Sequence, residues 1–284
     1  MQTERHMTHR AIEPADPPFA KIVVGIEDDP ATERAVLQAA RLGSLSAADL
    51  DLLHVYEGSF PDASAAERAA INALLEASAR WAGDAGASTT AHVLVGDAAS
   101  LLEHEARERW SDLIAVGADA PGRLGKVATA VLRRAHCSVL VARPAVDDPV
   151  FPSRILCAVD GSEHSIEAVR QAAGIAAHAG RVSLRLLHVA PEANGGGRWI
   201  AAGDRALRTA VEAAARWHVE PTREIAVGDA PRAIVDIAGV WGADLVVVGS
   251  RGLRGLERLL LGSVGEAVAR DAASSVLVAR ARPW

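Results

Sequence analysis

The sequence predicts an α/β protein built from two tandem doubly wound domains, each with a five-stranded parallel sheet. Two observations lead to this fold class. The chain of 284 residues repeats one order of segments at separations of 132 to 137 residues. Within each repeat, short runs rich in Val, Ile and Leu alternate with longer segments of helical spacing. Such alternation is typical of a parallel sheet that is covered by helices on both faces.

Five pairs of similar segments establish the repeat. The pairs are 21–27 with 154–160, 52–55 with 186–189, 95–98 with 227–230, 112–117 with 244–249, and 138–143 with 275–280. An unchanged order with small shifts in separation indicates a duplication followed by short insertions and deletions. The largest shift lies between Gly117 and Ser138, where the first repeat is five residues shorter than the second.

Each repeat carries its own strand and helix signals. The apolar runs are four to seven residues long and are bounded by Gly or Asp, which suits strands buried on both faces. The segments between them carry a single apolar stripe, as at Ile234, Ile237, Ala238 and Trp241. We therefore predict five strands in each half and about 130 residues per domain, within the usual range of domain sizes.

Domain boundaries follow from the local composition. Residues 1–18 contain several prolines and no apolar region of a secretory signal, so we expect a tail there. The first domain is predicted over 19–146 and the second over 154–284. The polar, proline-bounded segment 147–153 between them is predicted to be the linker.

The composition limits the classes of function. The chain has 36 acidic and 30 basic residues, and a net charge of −6 argues against nucleic-acid binding through a basic face. The apolar runs are far shorter than the ~20 residues that span a bilayer. Cys137 and Cys157 lie in apolar surroundings, which is typical of buried thiols in a reducing compartment. We expect a cytoplasmic protein without a membrane segment or a nucleic-acid partner.

A glycine-rich segment after the fourth strand of the second repeat is the most informative part of the sequence. Ligands of open parallel sheets bind at the carboxyl ends of the strands, near the point where the strand order reverses. The segment reads Gly249-x2-Gly252-x9-Gly262-Ser263. Glycines let the backbone approach a ligand closely, and the N–H groups of a helix start favour phosphate. Ser263 is expected either to cap the helix or to donate its hydroxyl to a phosphate oxygen.

This spacing resembles the glycine motif of the universal stress protein family, at the place where that family carries it. The resemblance covers nearly the whole chain beyond residue 18, as a tandem pair of family domains. Further matches are Val159-Asp160, His188-Val189 and the segment 227–231. The resemblance implies a Rossmann-like fold of the adenine nucleotide alpha hydrolase type. It also implies a stress-response or regulatory module that binds ATP, with Mg²⁺ as a candidate companion.

By this resemblance, the second domain holds the nucleotide. Asp160 would face the ribose and any metal, and the backbone of Val189 would pair with the adenine edge. Val248 and Gly249 would line the nucleotide. The full predicted set, whose last four members would hold the phosphates, is Ala158, Val159, Asp160, Val189, Val248, Gly249, Ser250, Gly252, Gly262, Ser263 and Val264. No catalytic residue and no protein-held metal is predicted.

The first domain departs from the motif. Its loop is five residues shorter, Ala120 replaces the second glycine, and Lys126 replaces the serine. Asp119 puts negative charge where a phosphate would bind, and the segment 27–29 is acidic throughout. We therefore predict that the first domain binds ATP weakly or not at all.

Other classes of function fit parts of the pattern. A phospho-acceptor receiver domain shares the layout and the acidic segment 27–29, but Arg143 stands where such a domain has lysine. Asp97 recurs as Asp229, which favours a helix cap over a phosphorylation site. Ser263 has no evident His–Asp relay in the sequence, so no catalytic serine is predicted. Slow ATP hydrolysis is the enzymatic alternative that is left open. A nucleotide-free, partner-binding module is the remaining alternative.

The resemblance also bears on association, because family members pair through their last strand. The two halves are then expected to form an internal pseudo-dimer, or whole chains to form a homodimer. ATP occupancy is expected to change the surface offered to a protein partner, which the sequence does not identify.

Overall fold

The computed structural model describes residues 18–60, 63–144, 150–192, 196–252 and 261–281. Across these residues, strands and helices alternate as predicted. The strands are β1 (Lys21–Ile26), β2 (Asp49–Tyr56), β3 (Ser88–Val95), β4 (Leu113–Gly117), β5 (Ser138–Ala142), β6 (Arg154–Ala158), β7 (Ser183–Ala190), β8 (Thr222–Val227), β9 (Leu245–Gly249) and β10 (Ser275–Ala279). The helices are α1 (Pro30–Ser44), α2 (Ala65–Asp84), α3 (Ala98–Glu108), α4 (Lys126–Arg134), α5 (Glu163–Ala179), α6 (Gly196–Ala215), α7 (Ala230–Trp241) and α8 (Ser263–Asp271).

All of these strands belong to one sheet. Their order is β3-β2-β1-β4-β5-β10-β9-β6-β7-β8. Neighbouring strands are parallel within each half, whereas β5 and β10 pair antiparallel where the halves meet, with Leu140 opposite Leu277. The predicted fold class is confirmed, and the two predicted sheets are joined into one continuous sheet.

Two apolar layers cover the sheet, one on each face. One layer contains buried side chains of α1, α2, α5 and α6, and the other contains those of α3, α4, α7 and α8. Both layers run through both halves, so the halves share their core. Cys137 and Cys157 are buried as expected, and desolvation raises the pKa of the Cys137 thiol to about 12. None of the helices in the described ranges has both the length and the apolar character that crossing a bilayer requires.

Repeated aspartates determine where two of the helices begin. Asp97 and Asp229 are the N-caps of α3 and α7. Their carboxylates accept hydrogen bonds from the backbone N–H groups of Ser100 at 2.9 Å and Arg232 at 3.3 Å. Both bonds satisfy N–H groups that have no partner within the helix. The capping role predicted from the repeat is confirmed.

A reciprocal polar network joins the two halves beside the β5–β10 pair. The backbone N–H of Arg143 donates to the hydroxyl of Ser275 at 3.0 Å, and that hydroxyl donates to Gln38 Oε1 at 2.6 Å. Gln38 Nε2 in turn donates to the carbonyl oxygen of Arg143 at 2.9 Å. The same three bonds recur with Arg280, Ser138 and Gln171. The junction therefore has the two-fold character of an isologous dimer interface inside one chain.

This internal pairing bears on the expected homodimer. Because β5 and β10 lie at the centre of the sheet, both last strands are already paired within the chain. In this structure, these two strands therefore have no free edge through which a second chain could pair. The outermost strands of the sheet are β3 and β8. Homodimerisation through another surface stays a prediction.

The predicted tail and linker lie partly outside the described residues. Pro18 is the one described residue of the predicted tail, and it is buried. Of the linker, residues 150–153 are described, and Phe151 packs into the core. The backbone N–H and hydroxyl of Ser153 both donate to Asp244 Oδ2, at 2.6 and 2.7 Å. This end of the predicted linker is therefore packed against the second half.

We expect Ser275→Ala to destabilise the whole chain. The change leaves the buried N–H of Arg143 without an acceptor, which costs about 1–3 kcal/mol of the free energy of unfolding. Urea denaturation measures this loss, with Ser44→Ala as the control because the Ser44 hydroxyl contacts Arg41 at the surface. A loss no larger than that of the control would contradict the role given to the junction.

Candidate functional site

The candidate site lies where the strand order of the second half reverses. β6 is flanked by β9 on one side and β7 on the other, and all three strands are parallel. From β6 the chain continues through α5 on one face, and from β9 it continues through α8 on the opposite face. A crevice therefore opens between the carboxyl ends of β6 and β9, which is the usual place of ligands in such sheets.

Asp160 and Gly252 come together in this crevice. Val159 and Asp160 follow the end of β6, and Asp160 Oδ1 accepts a hydrogen bond from the N–H of Ser162 at 2.9 Å. A Cβ atom placed on Gly252 would lie 2.7 Å from Asp160 Oδ2. The glycine leaves room for this carboxylate, which would have to shift if position 252 carried a side chain. Two residues predicted as parts of one site are thus in contact range.

Gly249 has a packing role that does not depend on a ligand. A Cβ atom on Gly249 would lie 2.8 Å from the backbone carbonyl of His164 in α5. Gly117 in the first half meets the backbone of Ala31 in α1 in the same way, at 2.6 Å. Since both halves need this glycine for strand–helix packing, Gly249 does not by itself indicate a nucleotide.

The two ends of the glycine-rich segment meet at the start of α8. The N–H of Gly262 donates to the carbonyl oxygen of Ser250 at 2.6 Å, and the N–H of Ser250 donates to the carbonyl oxygen of Ala279 at 3.0 Å. Residues 253–260 of this segment lie outside the described residues. The described ends of the segment therefore meet at the crevice.

Ser263 does not cap α8, so one of the two roles considered for it is wrong. Gly262 is the N-cap residue, and no described side chain caps the helix. Ser263 is the first helical residue and is exposed, as is Val264. The first N–H groups of α8 therefore lack a side-chain acceptor in the described structure, which is the arrangement that binds anions at helix starts.

On the β7 side, His188 orients the end of the neighbouring strand. Its Nδ1 is hydrogen-bonded to the carbonyl oxygen of Val159 at 2.8 Å. His54 in the first half makes the same contact with Ile26 at 3.0 Å. The matched histidines therefore have a shared structural role. Val189, the residue predicted to meet adenine, follows His188 and is half-buried.

Sequence reasoning missed the contribution of α6 to this side of the crevice. A Cβ atom on Gly203 in α6 would clash with the ring of His188. A Cβ atom on Gly161 would lie 3.3 Å from the Cβ atom of Ala206, also in α6. Gly203 and Ala206, two small residues three positions apart in α6, were the signal in the sequence for this close approach of the helix.

Two arginine side chains, Arg251 and Arg280, place positive charge close to the start of the glycine-rich segment. Arg280 is almost fully buried, and burial together with the nearby charge of Arg251 lowers its pKa to about 10. Within the described ranges, Arg251 forms no ion pair. Groups of three residues that could hold a metal ion are also absent from those ranges. The charge of this end of the crevice favours an anionic group.

The equivalent place in the first half is acidic and crossed by an ion pair. Arg34 in α1 pairs with Asp119 in the loop after β4, with 3.1 Å between Nη2 and Oδ1. Asp29 is the N-cap of α1 and accepts from the N–H of Ala31 at 2.7 Å. Desolvation, and next the negative charge of Asp29, raise the pKa of Glu27. At the equivalent positions 160–162, the second half has one carboxylate, that of Asp160.

These features together define a class of protein. The chain is a duplicated, doubly wound α/β protein with a crevice at the reversal of strand order in each half. The model of the universal stress protein family matches residues 18–143 and 152–280. The chain therefore belongs to the universal stress protein family.

Individual relatives agree with this assignment over the full length. A universal stress protein of Mycobacterium tuberculosis is 31% identical over 295 aligned positions, covering 91% of this chain and 96% of the relative. The crystal structure of a universal stress protein from Archaeoglobus fulgidus matches with a TM-score of 0.70 at 18% identity, covering 94% of this chain and 97% of that one. A putative universal stress protein from Pseudomonas aeruginosa matches with a TM-score of 0.70 at 23% identity, covering 92% and 93%. The two structures establish the shared fold.

We expect Gly252→Ala to destabilise the protein through Asp160. The new methyl group must displace the carboxylate and disturb its hydrogen bond with the N–H of Ser162, at a cost of about 0.5–1.5 kcal/mol of the free energy of unfolding. In an Asp160→Ala background the methyl group has room, so most of this cost disappears. A double-mutant cycle followed by urea denaturation measures this coupling.

The control is Gly239→Ala, because a Cβ atom there meets nothing within 4 Å in the interior of α7. This change is expected to stabilise the chain by up to about 1 kcal/mol, since alanine favours the helix. Equal costs of Gly252→Ala in the two backgrounds would show that the glycine and the carboxylate are not in contact.

Proposed function

We propose that the second half binds an adenine nucleotide, with ATP as the first candidate, between the ends of β6, β7 and β9. The observation that carries the proposal is the contact between Asp160 and Gly252, beside an uncapped helix start at Gly262. Acceptors for sugar hydroxyls and donors for phosphates then lie on neighbouring strand ends of one crevice.

Each proposed role fits the chemistry of its residue. The carboxylate of Asp160 accepts hydrogen bonds from ribose hydroxyls or coordinates Mg²⁺, since hard cations prefer oxygen ligands. The backbone of Val189 pairs with the adenine edge. The N–H groups of Gly252 and Val264 and the hydroxyl of Ser263 donate to phosphate oxygens. The N–H of Gly262 is already bonded to Ser250, so the part of Gly262 is to let the phosphates approach the backbone closely. Arg251 adds a positive charge near the same oxygens.

The remaining members of the proposed set shape the crevice. Ala158 ends β6 and Val159 follows it, while Val248 and Gly249 end β9 and Ser250 follows them. Val159, Val248 and Ser250 are buried. Their part in the proposal is to present backbone and apolar surface to the nucleotide.

We propose that the first half does not share this activity. The Arg34–Asp119 pair spans its crevice, and the carboxylates of the segment 27–29 surround the strand end where the second half has Asp160. The raised pKa of Glu27 reflects a site that already disfavours negative charge. A triphosphate would add several negative charges at this place.

The proposed role is that of a nucleotide-responsive module in a stress or regulatory response. The proposed set supplies donors and acceptors for a nucleotide but no His–Asp relay beside Ser263, so binding is the proposed activity and slow hydrolysis the alternative. A protein partner that distinguishes the two nucleotide states is part of the same proposal.

We expect Mg-ATP to raise the thermal stability of the chain. At about 100 times its dissociation constant, a ligand that binds the folded state adds ~2.7 kcal/mol. Gly252→Asp puts a second carboxylate against Asp160 and against the phosphates, so this variant is expected to lose the shift. A thermal-shift titration of the intact chain measures both.

The matched control is Ala120→Asp at the equivalent position of the first half. This variant is expected to keep the full wild-type shift, and isothermal titration is expected to give one ATP per chain. A wild-type melting curve indifferent to millimolar Mg-ATP would remove the nucleotide proposal. Equal losses in the two variants would remove the asymmetry between the halves.

A further inference from the structure

The first half holds the carboxyl end of α8, the helix whose start forms part of the proposed site. Arg143, which follows β5, is 0% exposed. Its Nη2 donates to the carbonyl oxygens of Ala269 at 2.8 Å and Arg270 at 2.9 Å, both in the last turn of α8. The N–H of Gly122 in the first-half loop donates to the same Arg270 oxygen at 2.8 Å. Three hydrogen bonds thus cross between the halves to one helix end.

The other end of α8 lies at the crevice. A Cβ atom on Gly265 would lie 3.3 Å from the carbonyl oxygen of Gly249, so the first turn packs directly on the end of β9. The helix has nine residues, which corresponds to a length of about 13–14 Å. One short rigid element therefore connects the proposed phosphate site of the second half with Arg143 and Gly122 of the first half.

A helix of this length depends on such contacts. Isolated helices of fewer than about 12 residues are marginal in water, because nucleation is costly. The carbonyl groups of the last turn have no partner within the helix, and a cation near them also interacts favourably with the helix dipole. Arg143 supplies both effects. Its removal is expected to loosen the last turn and to let the first turn shift against β9.

We propose that Arg143 of the first half is a positioning residue for nucleotide binding in the second half. The inference rests on the proposed function, because it assigns to Arg143 the task of keeping the start of α8 in place for the phosphates. The proposal also gives a role to the shorter first-half loop, which lacks the glycine motif. The N–H of Gly122 in this loop donates to the carbonyl oxygen of Arg270 in α8 of the other half.

The reciprocal contact shows that this assignment is asymmetric. Arg280 donates to the carbonyl oxygen of Leu132 in the last turn of α4 at 2.5 Å, and to that of Cys137, directly before β5, at 3.2 Å. α4 starts after Gly125 with Lys126, in the half for which no nucleotide is proposed. In both halves, an arginine binds a carbonyl group at the end of a helix of the opposite half. Only the helix held by Arg143, which is α8, begins at a proposed nucleotide site.

The test compares Arg143→Met with Gln38→Ala in the intact chain. Gln38→Ala removes hydrogen bonds of the same junction but leaves the carbonyl groups of α8 held. We expect Arg143→Met to weaken Mg-ATP binding at least about fivefold by isothermal titration, within the usual range of coupling between sites. Gln38→Ala is expected to bind as the wild type does. Wild-type affinity of Arg143→Met, or equal weakening in both variants, overturns the proposal.

Hydrogen exchange provides a second readout. In nucleotide-free protein, Arg143→Met is expected to speed the exchange of α8 amides relative to Gln38→Ala. Because coupling is reciprocal, Mg-ATP is expected to slow exchange at Gly122 in the wild type, which tests the link even where Arg143→Met does not fold. Unchanged exchange at Gly122 in nucleotide-saturated protein overturns the proposal.

The two proposals can fail separately. If the wild type itself does not bind Mg-ATP, the proposed function falls and Arg143 loses its nucleotide-positioning role. Faster α8 exchange in Arg143→Met would then show a structural contact only. If the wild type binds and Arg143→Met binds equally well, only the positioning role falls.

Discussion

The antiparallel pairing of β5 with β10 is the constraint on which the rest of this structure depends. It turns two doubly wound halves into one sheet and gives them common apolar layers. It also brings Arg143 and Arg280 into the interior, where each guanidinium binds carbonyl groups at a helix end of the opposite half. Because the pairing is internal, the two halves can diverge in sequence while their geometry stays matched. A homodimer of identical domains lacks that freedom.

The divergence is concentrated at the crevices. Both halves keep the glycine that lets the fourth strand approach a helix, and both keep the histidine that orients the first strand end. They differ in the charged side chains beside the crevice. The first half has the Arg34–Asp119 ion pair, and the second half has Arg251. The shared features belong to the fold, and we propose that the features that differ determine which anions each half accepts.

Much of this could be predicted from the sequence, because strands buried on both faces and a duplicated order of segments leave strong local patterns. Asp160 and Gly252, which are 92 positions apart, were predicted as parts of one site, and the structure places them close together because parallel strand ends share one edge. The choice of Gly262 as the N-cap and the destination of the Arg143 side chain could not be predicted, because they depend on the placement of elements that no local pattern encodes. The approach of α6 was missed, although Gly203 and Ala206 carried a local signal for it. Gly249 has a second role that the motif does not show, since strand–helix packing also requires this glycine.

A crystal structure of the intact chain grown with Mg-ATP tests the central claim most directly. The claim predicts nucleotide density in the second-half crevice, with the ribose at Asp160 and phosphates at the start of α8, and no nucleotide beside the Arg34–Asp119 pair. Nucleotide in the first half alone, or an empty second-half crevice at saturating ATP, would contradict it.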